Sequence, residues 1–148
     1  MELSVVDKLR NIVFALAIYI AWTFLIGYII SSLAGDRNYY HHNTYVFDLN
    51  YLFYACILAP LWEELLFRKV PITIANIINP KLLWPVIIMS SAIFGWSHGD
   101  GMRSLLLQGV LGVTTSYVYI KNGNSYWSIV IIHSSWNLLV PYLSIWNL

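Results

Sequence analysis

The chain has 148 residues, 59% of them apolar and 10% charged, against about a quarter charged in soluble domains, so an ordinary soluble globule is excluded and a bilayer is left as solvent. Seven Trp and eleven Tyr argue against low-complexity disorder, and a formal net charge of +1 from scattered Lys and Arg leaves no basic stripe for nucleic acid. Cys56 has no second cysteine in the chain, which excludes an intramolecular disulfide framework and metal–thiolate chemistry.

The first apolar run, residues 12–33, carries no charge. At 1.5 Å per residue it makes about 33 Å of helix, enough to cross a hydrocarbon core of about 30 Å, and it is too long for a signal-peptide core. Further runs follow at about 51–68, 82–98, 104–120 and 126–146, separated by turn-forming connectors: Gly35-Asp36-Arg37-Asn38, Asn79-Pro80-Lys81, Gly99-Asp100-Gly101 and Lys121-Asn122-Gly123-Asn124. The expected fold is all-α, a polytopic transmembrane helical bundle of about five spans. Helices satisfy their own backbone in lipid, and no alternating ten-residue strands suggest a barrel.

Placing the N-terminus in the cytoplasm puts Lys8, Arg10, Lys69, Lys81 and Lys121 inside, against Arg37 and Arg103 outside, in line with the positive-inside rule. Trp62, Trp84, Trp127, Trp146, Tyr39, Tyr40, Tyr45 and Tyr126 lie near run ends, where amphipathic rings prefer the headgroup level. His41 and His42, in a polar loop, and Asp100 carry no assigned role. Gly109, Gly112 and Thr115, with Ser116 beside them, form a small-residue face for close helix approach, and Gln108 on the same run is expected to hydrogen-bond across the core.

Three charged residues, Glu63, Glu64 and Arg68, fall inside an apolar run. Ionisable groups in a span are costly, usually face a bundle interior and mark function. Glu64 and Arg68 are i and i+4 on one helix face and suit an ion pair. Glu63 points about 100° away and has no local cation, as suits a general base in a poorly hydrated site. Two further i, i+4 pairs, Phe94 with His98 and His133 with Asn137, occur on later runs. Taken singly, a buried ion pair or a lone membrane His is more often a packing device. The three pairs on successive spans point instead to one cavity holding a base, a proton shuttle or metal ligand, and oxyanion donors, with side chains within about 8 Å of each other. No serine sits in a Gly-x-Ser-x-Gly elbow, so water is the expected nucleophile.

Depth is harder to reconcile. Counted from the cytoplasmic ends, Glu63 and His133 lie about 9 Å in and His98 about 25 Å. The expectation is that residues 69–81, with Pro71, Asn76, Asn79 and Pro80 breaking the helix, dip into the bilayer so that the third helix starts deep. Pro60 and Pro71 bracket the glutamate pair and are expected to kink their helix.

Glu63-Glu64-Leu65-Leu66-Phe67-Arg68, Phe94-Gly95-Trp96-Ser97-His98 and His133-Ser134-Ser135-Trp136-Asn137 resemble the three motifs of the CPBP family, the CAAX-processing and bacteriocin-processing intramembrane proteases also called Abi. The resemblance covers roughly residues 51–141. It divides the chain into residues 1–50, a cytoplasmic tail, first membrane helix and polar loop, and residues 51–148, the protease core. It implies a multipass cell-membrane endopeptidase in which Glu63 and His98 activate water, His133 and Asn137 stabilise the oxyanion, and Glu64, Arg68 and Phe94 support the site. Its implied substrates are membrane-associated or lipidated proteins and peptides: prenylated CAAX-type, pheromone or bacteriocin precursors. Zinc stays an open alternative, held by Glu63, His98 and His133, although no His-Glu-x-x-His helix is present and no obligatory cofactor is expected. Family members commonly have more membrane helices, which leaves a minimal member, a truncated one, or one completed by homodimerisation. The competing function is a noncatalytic bacteriocin-immunity protein or membrane scaffold.

Overall fold

The computed structural model describes residues 3–34 and 48–145, and every element among them is helical. His41, His42, Tyr39, Tyr40, Tyr45 and Trp146 lie outside the described residues. The elements are α1 (Val5–Ala34), α2 (residues 49–78), α3 (Leu83–Ser97), α4 (residues 102–121) and α5 (Tyr126–Ile145). By length and composition, α1 alone among the described helices passes as a candidate membrane span, over Val5–Ile30. At 15 residues, α3 is about 22 Å long, short of a full hydrocarbon core.

The interior mixes apolar clusters with an unusual number of polar side chains, and the outside is largely apolar. Glu64, Arg68, Ser91, Ser104, Thr115, Ser116, Asn122, Ser128 and His133 are buried, while Val13, Phe14, Leu25, Ile77, Ile88, Met89 and Trp127 are exposed. That distribution suits a hydrocarbon surrounding, since a water-soluble monomer rarely exposes so extended an apolar surface. Two packed clusters knit the helices. Ile12, Ala15 and Tyr19 of α1 meet Leu111 and Val118 of α4 and Ile132 and Trp136 of α5. Ile72 of α2 meets Ile87 of α3, Tyr119 of α4 and Ile129 of α5.

Of the residues expected to break the helix within 69–81, Asn79 and Pro80 do so, while Pro71 and Asn76 do not. α2 runs without interruption to Ile78, through two π segments, Tyr54–Leu58 and Leu65–Lys69. In each, the N–H closing the widened turn reaches back five residues, from Ala59 to the Tyr54 carbonyl and from Val70 to the Leu65 carbonyl. Pro60 and Pro71 then fall in the first turn of the following α segment. There a missing N–H and a fixed φ are tolerated, so neither proline ends the helix. The chain breaks at Asn79, which is extended (φ −164°, ψ 114°) and accepts from the Lys81 N–H before a 3-10 turn, Pro80–Leu82, leads into α3.

A third π segment, Leu105–Gly109, lies in α4. A π turn shifts the hydrogen-bond ladder by one residue and frees a carbonyl, which in lipid must find another donor. Trp22 Nε1 donates to the Leu106 carbonyl at 2.8 Å and Tyr19 Oη to the Leu107 carbonyl at 3.0 Å, tying α1 to α4. The expected turns at Gly99, Gly101, Gly123 and Asn124 are present, all at positive φ. Within the last of these, buried Asn122 donates to the Lys8 carbonyl and to Ser128 Oγ and accepts from Asn11, locking the start of α1 to the α4–α5 turn.

The small-residue face of α4 packs on α3. A Cβ on Gly95 would lie 2.8 Å from the Gly109 nitrogen and 3.0 Å from the Leu105 Cα. Both neighbours are backbone and cannot swing away, so Gly95→Ala is expected to destabilise the bundle by about 1–3 kcal/mol. Thermal unfolding of the full chain in detergent checks this; an unchanged midpoint would show that the two helices do not cross there.

Candidate active site

α2 presents Glu63, Glu64 and Arg68 toward α5 and α3, and the three motifs meet around the ring of Phe94. Glu64 and Arg68 are both fully buried, with Arg68 Nε 3.4 Å from Glu64 Oε2, so the expected i, i+4 ion pair is present. Arg68 Nε also donates to Thr115 Oγ1 at 3.2 Å, and its Cζ lies 3.9 Å from the centre of the Phe94 ring. Gly112 leaves the space for this side chain: a Cβ there would be 2.5 Å from Arg68 Nη2 and 2.9 Å from Ser91 Oγ. The small-residue face therefore does two things, letting α4 approach α3 and admitting a buried guanidinium.

His133 of α5 bridges the two glutamates. Its Nδ1 lies 2.7 Å from Glu64 Oε1 and its Nε2 lies 3.5 Å from Glu63 Oε2. A carboxylate only accepts, so the short contact places a proton on Nδ1 and aims Nε2 at Glu63. Glu63, which has no cation on its own helix, thus finds its partner through the fold. Its side chain keeps 29% exposure where that of Glu64 keeps none. The pair divides into a structural carboxylate and an accessible one.

His98 is exposed at the C-terminal end of α3. Its Nδ1 is 2.8 Å from the Phe94 carbonyl, which fixes Nδ1 as donor and leaves Nε2 as an acceptor in the neutral ring. Its ring packs edge-on against Phe94 at 4.6 Å, and His133 packs against the same ring at 5.8 Å. Phe94 therefore stands between the two histidines. Asn137 is committed differently from the sequence reading: its Nδ2 donates to the Ala55 carbonyl at 2.7 Å. Ala55 lies in the first π segment, five residues before Pro60, which has no N–H to offer it. One of the two Asn137 amide hydrogens is used in this way.

Sequence reasoning missed several donors that hold this geometry. Tyr51 Oη donates to the Asn137 carbonyl, and Tyr126 Oη to the Leu61 carbonyl one turn before Leu65. The Tyr126 hydroxyl thus turns toward α2. Nothing in the spacing signals these contacts, because each joins residues more than 60 positions apart. Gln108 does not make the expected hydrogen bond through Oε1, which is buried without a partner among the described residues. As for metal, no group of three His, Cys, Asp or Glu side chains among the described residues is arranged to hold an ion. Glu63, His98 and His133 do not form such a set.

Compared with protein families, the chain matches the family described as type II CAAX prenyl endopeptidase Rce1-like over residues 45–139. That span covers more than half the chain and contains all three motifs, so the chain belongs to the Rce1-like family, whose members are membrane proteins and endopeptidases. Neither a curated protein nor a solved structure matches.

The two glutamates are expected to respond differently to removal. Glu64→Ala strands a buried guanidinium and should cost about 3–5 kcal/mol of stability, with loss of folded protein in membranes. Glu63→Ala, at a partly exposed carboxylate, should leave the thermal midpoint within a few degrees. Parallel melting curves in detergent check the contrast; equal losses would remove the division of roles.

Proposed function

We propose that this Rce1-like chain is a multipass intramembrane endopeptidase that cleaves membrane-associated, lipidated substrates with water activated by Glu63. In this reading the four helices after α1 are further crossings and the N-terminus is cytoplasmic. The observation that carries it is the contact of Glu63 with His133 beside a fully buried Glu64–Arg68 pair. Holding ions in a space closed to water is costly, and a bundle that needed only packing gains nothing from a second, accessible carboxylate.

The chemistry follows from the donors and acceptors on hand. Glu63 takes a proton from water, whose oxygen attacks the scissile carbonyl carbon. His98 Nε2, on the other edge of Phe94, is the second acceptor for that water. The oxyanion that develops receives hydrogen bonds from the second Asn137 amide hydrogen and from Nε2–H of His133, whose ring, set between two glutamates, carries a proton on both nitrogens at this step. Glu63 then returns the proton to the amine as the C–N bond breaks, so that it serves as base and acid in turn. Arg68 and Thr115 fix Glu64, and Glu64 fixes the His133 ring; these act through other residues and are positioning groups.

Terminal-peptide mass spectrometry on membranes from cells making the wild type or Glu63→Ala at equal abundance tests this. New protein ends present only with the wild type are expected and would name substrates. Ends that persist with Glu63→Ala, or no new ends beside an unchanged cellular phenotype, would favour a noncatalytic scaffold or immunity protein. Loss of the base should lower turnover on an identified substrate about 10²- to 10⁴-fold. Because no three-ligand set forms among the described residues, a zinc chelator is expected to leave wild-type turnover unchanged; chelator-sensitive turnover restored by zinc would replace the glutamate reading with a metal one.

A further inference from the structure

A crevice of about 310 Å³ lies away from the glutamates, between α1 and α4, with Trp84 at its side. We propose that it holds an acyl chain of an anionic phospholipid whose phosphate sits at Lys121. The crevice is graded along its length. Asn11 and Lys121 line one end, and Phe14, Ile18 and Val113 line the stretch that follows along α1 and α4. From Asn11 to Ile18 is about 10 Å along α1, so polar and apolar linings follow one another as the parts of an amphiphile do.

A bilayer leaves few fillers for such a space. An empty apolar crevice forfeits dispersion contacts, and in hydrocarbon the molecule at hand to restore them is a lipid chain. The volume lies at the lower end of the range for small-molecule sites. Charge selects the head. Lys121 interacts with the Tyr117 hydroxyl and ring, and no carboxylate is set against it among the described residues. The backbone at Lys8 is held close to this end, since Asn122, the residue after Lys121, donates to the Lys8 carbonyl. A lysine with no carboxylate set against it at the mouth of a membrane crevice favours an anionic headgroup over a zwitterionic one.

The full chain, purified in mild detergent and exchanged with equal amounts of phosphatidylglycerol and phosphatidylcholine, is read by native mass spectrometry for retained lipid. The wild type is expected to retain phosphatidylglycerol preferentially. Lys121→Gln, an exposed change, is expected to lower that preference about fivefold, the size of one lysine at an anionic surface. Val113→Trp, which fills the crevice, is expected to lose both lipids. Equal retention of the two lipids by the wild type, or a preference untouched by Lys121→Gln, would overturn the proposal. So would a wild-type dimer that Val113→Trp dissociates, because the occupant would then be a second copy of the chain. Should Val113→Trp fail to fold, the wild-type thermal midpoint decides: a larger rise with phosphatidylglycerol than with phosphatidylcholine, abolished in Lys121→Gln, supports the site, and equal rises overturn it. The readout is lipid retention, so its failure is separate from any failure of the peptidase reading.

Discussion

Compensation of the buried Glu64 carboxylate is the constraint on which the remaining arrangement rests. Its two oxygens are divided between His133 of α5 and Arg68 of its own helix, with all three side chains withdrawn from the surroundings. Arg68 in turn needs Thr115 and the space above Gly112 on α4, and it lies against Phe94 on α3. Four helices are therefore positioned by one electrostatic requirement. Without the hydrophobic effect to drive helices together in lipid, a desolvated charge that has to be met is a strong organiser.

The second organising feature is the pairing of π segments with side-chain donors from other helices. Freed or shared carbonyls of Ala55, Leu106 and Leu107 are taken by Asn137, Trp22 and Tyr19. Each contact satisfies a backbone group that lipid cannot serve and fixes the rotation of one helix against its neighbour. Thus the same Asn137 that lies one turn beyond His133 also sets the orientation of α5 on α2. Site and scaffold share residues, which is economical in a bundle of short helices.

Much of this was legible in the sequence because membranes make polar residues conspicuous. Glu63, Glu64, Arg68, His133 and Asn137 stood out against apolar runs, and helical spacing already placed Glu64 with Arg68. The turns at Gly99 to Gly101 and at Gly123 were equally plain, since left-handed backbone favours glycine and asparagine. The unbroken α2 was not legible. Pro71 normally argues for a break, and only the ladder shift at Leu65–Lys69 makes it tolerable. No residue pattern announces a π turn. The hydroxyl bonds of Tyr19 and Tyr126 were hidden for a related reason: neither ring's position in its run shows which carbonyl on another helix it serves.

The first π segment has a consequence for how this chain tolerates length changes. A π turn is equivalent to one residue inserted into an α-helix, and Tyr54–Leu58 precedes Glu63 and Glu64 by only a few positions. Deleting one residue there would restore a regular ladder locally, at the cost of rotating everything beyond it by about 100° and sliding it about 1.5 Å relative to the start of the helix. Either the tyrosine-anchored beginning of α2 or its glutamates would lose register with α5. Substitutions on the outer face leave that register alone, so indels here should be rarer among functional variants than exchanges of one apolar residue for another.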